Sequence, residues 1–189
     1  LQLCRAVDLY NWYCREGLTF AIRSDSKVID LLAKQKGRIA DTILTADKKG
    51  KDRSSELINN YLNTKSASDK LIRDAVHNHL GVMQFPETEL ICECRNVLVH
   101  HRGFDRLKSV QKAIVKLGSN RADIHPVGFP SGHMPIALRA DGLLIIDNMV
   151  GAWAGAFIEN QIHLMDQNFA HVYKLPTKRW LPRPVGRCV

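Results

Sequence analysis

Pro86-Glu87-Thr88-Glu89-Leu90-Ile91-Cys92-Glu93-Cys94-Arg95-Asn96-Val97-Leu98-Val99-His100-His101-Arg102-Gly103 is the stretch on which the reading of this chain turns. It opens as a helix should. Proline suits the first turn, and the early acids Glu87 and Glu89 favour the positive end of the helix dipole. Leu90, Ile91, Cys92, Val97, Leu98 and Val99 supply apolar residues along it, and Gly103 is a candidate terminator. The predicted helix ends in an arginine, an amide and an imidazole: Arg95, Asn96 and His100. Arginine binds phosphate through a planar fork of donors. Histidine is the side chain whose unperturbed pKa lies nearest neutrality. Together they point to chemistry on a phosphodiester.

Helical spacing extends in both directions from this stretch. Leu3, Val7, Leu9, Tyr10, Tyr13, Cys14, Leu18, Phe20 and Ile22 predict a helix over residues 3–22, with Gly17 as a weak point. Ser24-Asp25-Ser26 offers N-caps for one or two helices carrying Val28, Ile29, Leu31, Leu32, Ile39, Ile43 and Leu44. Asp47–Arg53 is a charged loop, and Ser54-Ser55-Glu56 opens a short helix reaching Leu62. A capping stretch at 66–69 precedes a helix with Leu71, Ile72, Ala75, Val76 and Leu80, stopped by Gly81. His77 and His79 lie two apart on it, so they face different ways and do not make an i, i+4 metal pair. After Gly103, Asp105 can cap a helix with Leu107, Val110, Ile114, Val115 and Leu117, ended by Gly118.

The texture then changes. Ala122–Phe129 and Met134–Leu138 flank a Pro/Gly turn and read as a small β-hairpin near residues 123–138, with prolines that suit edges. From Leu143 the helical period returns through Ile146, Val150, Trp153, Phe157, Ile162, Met165, Phe169 and Val172. Gly151 and Gly155 would permit close packing. The expected fold is therefore all-α: a helical bundle over residues 1–175 with one hairpin insertion, followed by a basic, Pro-rich tail over 176–189.

At 189 residues the chain can bury an apolar core without a metal or disulfide staple. Its five cysteines are odd in number and lack a C-x-x-C pair, which argues against a zinc knuckle and for free thiols in a reducing cytoplasm. No apolar run reaches the roughly 18 residues of a membrane span, and no secretory signal pattern is present. Because the first residue is Leu1 rather than Met, a few residues are expected to precede it. The net charge of +8 suits polyanionic partners, chiefly nucleic acid, and equally an inert basic surface or an acidic partner; charge alone does not choose between them. There is no Gly-rich phosphate loop, zinc-ligand spacing, nucleophile elbow or two-metal carboxylate cluster, so neither a cofactor nor a metal is expected. Nor is there a convincing helix-turn-helix pattern to support a DNA-binding regulator.

The spacing within the motif sets a geometric condition. Asn96 and His100 are four apart and share a helix face. Arg95 and His100 are five apart, roughly 140° around the helix and about 7.5 Å along it. On a straight helix they diverge. Either the helix loosens, the long arginine wraps round, or a second copy completes the site. Read by itself, a histidine in a last helical turn is also a favourable electrostatic cap.

An Arg-Asn pair, three apolar residues, a His and a Gly soon after resemble the Arg-x4-His signature of the HEPN superfamily. The likeness is strongest over residues 90–107. The resemblance implies a helical bundle that forms a homodimer about a two-fold axis, with both motifs in one cleft. It implies a metal-independent endoribonuclease, of a kind found as toxins in toxin–antitoxin or anti-phage defence systems, acting with an antitoxin or other defence protein. It also implies the alternative of a HEPN module without activity that binds RNA or a protein. On that resemblance Arg95, Asn96 and His100 are the catalytic residues, and His101 and Arg102 are weaker RNA contacts. Glu93 is a more distant auxiliary. Some toxin members carry a tyrosine, modified by a partner enzyme, where this chain has Arg102, so that route of regulation is not expected here.

Overall fold

The computed structural model describes residues 2–34, 38–63, 68–119 and 136–175. These fall into two compact units. The first holds residues 2–9, 84–119 and 136–170, and the second holds the described residues of 10–83 together with 171–175. The described elements are α1 (Gln2–Ser24), α2 (Ser26–Ala33), α3 (Arg38–Lys48), α4 (Arg53–Leu57), a π-helical turn (Ile58–Leu62), α5 (Asp69–Leu80), α6 (Pro86–His100), α7 (Ser109–Ser119), β1 (Ile136–Leu138), β2 (Leu144–Ile146) and α8 (Val150–Tyr173). The protein is mostly helical, as expected, with one small two-stranded sheet among the described residues.

In the first unit α6 is the buried element. Leu90, Ile91, Cys92, Cys94 and Val97 are all withdrawn from solvent, and α7 lies against it with Val110, Ala113 and Leu117 buried. Full burial of a side chain such as Leu90 or Ile91 stabilises by about 1.5–3 kcal/mol. The start of α6 is fixed from α8. Gln161 is fully buried, and its Oε1 accepts the Phe85 N–H at 2.6 Å, just ahead of Pro86. A helix start otherwise leaves such donors unpaired.

Two sequence expectations are corrected here. The helical period read from Leu143 begins instead at Val150. Residues 144–146 form β2, which pairs antiparallel with β1, Ile136 opposite Ile146. Three residues of alternating burial are too short to separate a strand from a helix by period. The hairpin thus joins 136–138 to 144–146, with Gly142 at φ +83° in its turn. The proposed pairing of 122–129 with 134–138 lies mostly outside the described residues, as does the tail at 176–189. The second correction concerns the α8 glycines. A Cβ at Gly151 would collide with the Gln2 side chain, so close approach is required there, whereas Gly155 has open space around it.

The second unit follows the caps read from the sequence, with adjustments. Asp25 caps α2 by accepting from the Lys27 N–H, and Gly81 ends α5 at φ +64°. Asp52 rather than Ser54 caps α4, accepting from the Ser55 N–H at 2.7 Å. Gly17 does not interrupt α1.

His77 and His79 do face different ways. His79 Nε2 hydrogen-bonds the Tyr173 hydroxyl at 2.7 Å. His77 is buried, with Nδ1 2.9 Å from the Val82 carbonyl and Nε2 2.6 Å from the Tyr10 hydroxyl. A carbonyl only accepts, so the His77 proton sits on Nδ1 and Nε2 accepts from tyrosine.

Burial lowers the pKa of both imidazoles below the ordinary value of 6.5, since it penalises their charged form. The unfolded chain therefore binds more protons than the folded one around and below that value. Stability is full above it and falls as the pH drops through it. The urea midpoint should be lower at pH 5.5 than at pH 7.5. In a His77→Asn variant, which keeps a donor for Val82, that drop should be smaller. An undiminished pH slope in the variant would rule out the His77 imidazole as a source.

Candidate active site

The candidate site is the C-terminal end of α6 and the turn that follows. The helix runs regularly to His100 and is closed by its own carbonyl: Val97 O accepts from the His101 and Gly103 N–H groups, both at 3.0 Å. Between them Arg102 takes φ +53°, and Gly103 follows at φ +84°, where a residue without Cβ is unstrained. The turn is then tied to the hairpin. The Leu144 N–H donates to Gly103 O at 2.8 Å, the Asp105 N–H donates to Gly142 O at 2.9 Å, and Phe104 bridges to Leu143.

Asp105 does cap α7, as anticipated, though the helix begins only at Ser109 and Leu107 stands exposed before it. Its Oδ1 accepts from the Ser109 N–H and its Oδ2 from the Gln111 N–H, each at 2.8 Å. The carboxylate is buried in this cap, so the turn presents cations outward.

Arg95 and His100 meet within one chain. Arg95 NH1 lies 3.4 Å from His100 Nε2. Of the three routes open from the spacing, the structure takes the second: the helix does not loosen, and the arginine reaches round it. The geometric need for a second copy therefore disappears. An arginine nitrogen only donates, so the contact assigns the lone pair to Nε2 and the neutral ring's proton to Nδ1.

The remaining expected residues fall nearby but are not bonded into the pair. Asn96 is half-buried on the same helix and makes no side-chain hydrogen bond among the described residues. His101 caps the helix through its backbone and is half-buried, while Arg102 is exposed in the left-handed turn. Glu93 is half-buried one residue before Cys94. Cys94 itself is fully buried, and burial, with the Asp105 and Glu93 charges, pushes its thiol far up, which disarms it as a nucleophile.

The electrostatics of the turn are one-sided. Arg102, Arg106, Lys108 and Lys112 are exposed and form no ion pair among the described residues. Lys116 and Arg139, by contrast, are neutralised by Glu89 and Asp141. Phe104 and Leu107 are partly exposed among the free cations. Among the described residues no three His, Cys, Asp or Glu side chains converge on a common point as metal ligands would.

One residue of the site has no signal in the sequence. Asp8 of α1 accepts from Arg95 at Nε (3.2 Å) and NH2 (2.8 Å), both through Oδ1. It is 87 residues away, and a single acid beside the buried Val7 looks like any solvent-facing residue of an amphipathic helix.

A polar pocket of about 370 Å³ lies in the other unit, where α3 meets the π-helical turn. Its charges are largely spent internally: Lys51 pairs with Glu56 at 2.7 Å, and Asn60 bonds the same carboxylate. Comparison with family models, with curated proteins and with solved structures returned no match for this chain.

Proposed function

We propose that the protein is a HEPN-type, metal-independent endoribonuclease that cleaves RNA by internal transesterification. The observation that carries this reading is the meeting of Arg95 and His100 at 3.4 Å on the exposed end of α6, beside a turn of exposed cations that form no ion pair among the described residues. When RNA binds, the single lone pair of His100 Nε2 exchanges its long Arg95 N–H contact for the ribose 2′-OH and takes that proton, while the freed NH1 turns to the phosphate. The 2′ oxygen attacks its own phosphorus, the P–O5′ bond breaks, and the 5′ oxygen leaves with a proton. The products are a 2′,3′-cyclic phosphate and a 5′-hydroxyl.

Arg95 holds the scissile phosphate and stabilises the charge that builds on its oxygens. Asn96, which makes no other side-chain hydrogen bond among the described residues, donates to phosphate or orients the ring. Arg102 and His101 contact the RNA backbone on the turn. The resemblance adds a homodimer, in which a second copy's His100 supplies the departing proton, and a cytoplasmic toxin–antitoxin or anti-phage setting with an antitoxin as partner.

The purified protein should cut mixed RNA in EDTA and leave 2′,3′-cyclic phosphate ends. DNA of the same sequence should stay intact for want of a 2′-OH. No cleavage, cleavage that requires a divalent ion, or equal cutting of DNA would overturn the reading.

A further inference from the structure

We propose that Asp8 is a positioning residue for Arg95 and, through it, for His100. The inference rests on the ribonuclease reading for its effect on rate, but its structural content stands apart from that reading.

The guanidinium has two edges that matter here. One, made by Nε and NH2, is closed by a single oxygen, Asp8 Oδ1, at 3.2 and 2.8 Å. The other carries NH1, which faces His100 Nε2 at 3.4 Å. A planar fork held along one edge cannot turn about its long axis, so Asp8 sets the direction in which NH1 points.

That constraint answers the difficulty posed by the spacing. Arginine has four flexible torsions, and nothing in a five-residue offset draws its end toward His100. Asp8 supplies the anchor from another helix. Arg95 is drawn in by it, with only 18% of its side chain exposed, while Asp8 remains 56% exposed. The carboxylate is therefore not a core residue on which the fold depends.

The same arrangement bears on the imidazole. NH1 only donates, so a fixed NH1 keeps the lone pair on Nε2 and the ring proton on Nδ1. This is the tautomer with its basic nitrogen toward the place where Arg95 holds phosphate. Free histidine prefers the other tautomer. Asp8 thus chooses, through Arg95, which ring nitrogen is ready to accept a proton. Arg95 keeps its remaining N–H bonds on NH1 and NH2 for the phosphate.

An ordinary surface ion pair would share the distances but not the consequences. If Asp8 positions the site, Asp8→Ala should lower kcat by about ten- to a hundredfold, the scale of a misplaced catalytic group. KM should be unchanged or lower, since a negative charge beside the phosphate site is lost. Asp8→Asn keeps an acceptor oxygen for the same edge and should restore most of the rate. Melting temperature should be nearly the same for all three proteins.

Long-range ¹H–¹⁵N spectra of the His100 ring provide a readout that needs no activity. The parent and Asp8→Asn should show the Nδ1–H form, and Asp8→Ala should move toward the Nε2–H form. A kcat for Asp8→Ala within twofold of an active parent, a change in KM alone, or a ring tautomer indifferent to Asp8 would overturn the proposal. If the parent cuts no RNA, the ribonuclease reading fails, and the ring spectra still decide whether Asp8 positions the pair.

Discussion

Replacing His100 with alanine is expected to lower RNA cleavage by about 10²–10⁴-fold, the usual loss on removing a positioned general acid or base. The fold should not notice. His100 is exposed, and among the described residues its side chain makes one long hydrogen-bond contact, the 3.4 Å approach to Arg95. Arg95→Ala should cost about 10²–10³-fold by removing a donor to the developing charge. Arg95→Lys should not rescue it, because an ammonium cannot close one edge on Asp8 and present the other to His100. Mixing the two alanine variants separates a self-contained site from a shared one. If both motifs of a dimer serve one cleft, a mixed dimer holds one Arg95 and one His100 and regains part of the activity. If each chain works alone, the mixture stays inactive. Alanine variants that cut as fast as the parent would remove these residues from catalysis altogether.

The second large effect concerns the other unit, and it is one of stability. Arg73 is buried, with 4% of its surface exposed, and its NH1 donates to Asn11 Oδ1 at 2.7 Å. Its Nε has no hydrogen-bond partner among the described residues. Asn11 in turn donates to Asp69 Oδ2 at 3.0 Å, and Asp69 Oδ1 accepts from Arg15 at 3.1 Å. The amide thus links a buried cation to a carboxylate that is itself ion-paired with Arg15.

Asn11→Leu should destabilise by about 3–5 kcal/mol, the cost of stranding a buried charge. Asn11→Asp keeps an acceptor beside Arg73 but sets a second carboxylate against Asp69, and should fall between the variant and the parent. Urea denaturation measures both. A loss below about 1 kcal/mol for Asn11→Leu would show that water reaches Arg73 and replaces the amide.

Much of the helical plan was legible because it rests on local rules. Asp25 and Asp105 cap helices, and Gly81 stops one because its left-handed turn suits glycine. Of the apolar stripe read from the sequence, Val150, Trp153, Met165 and Phe169 are buried, while Ile146, Phe157 and Ile162 are only half-buried. The stripe also misled. Ile158 and Gln161 are buried while Val172 is exposed, since which face turns inward depends on what lies opposite. A buried glutamine has no apolar signal, yet it fixes the start of α6 through Phe85. Residues 144–146 joined a strand rather than a helix because short apolar runs satisfy either period and pairing with 136–138 decided between them.

For the candidate site the division is sharper. The residues Arg95, Asn96 and His100 and the capping chemistry around them could be read from the chain alone, since side-chain type and spacing along one helix are local properties. Their relation to one another could not. Helical geometry alone sends Arg95 and His100 apart, and only the arrival of Asp8 from α1 turns the guanidinium so that they meet. Likewise, the sequence alone shows a basic segment after Gly103, but burial of Asp105 in the α7 cap is what leaves its cations unopposed. The direction of a long, flexible side chain is set by the partner that holds its end, and partners distant along the chain come together only in the folded structure.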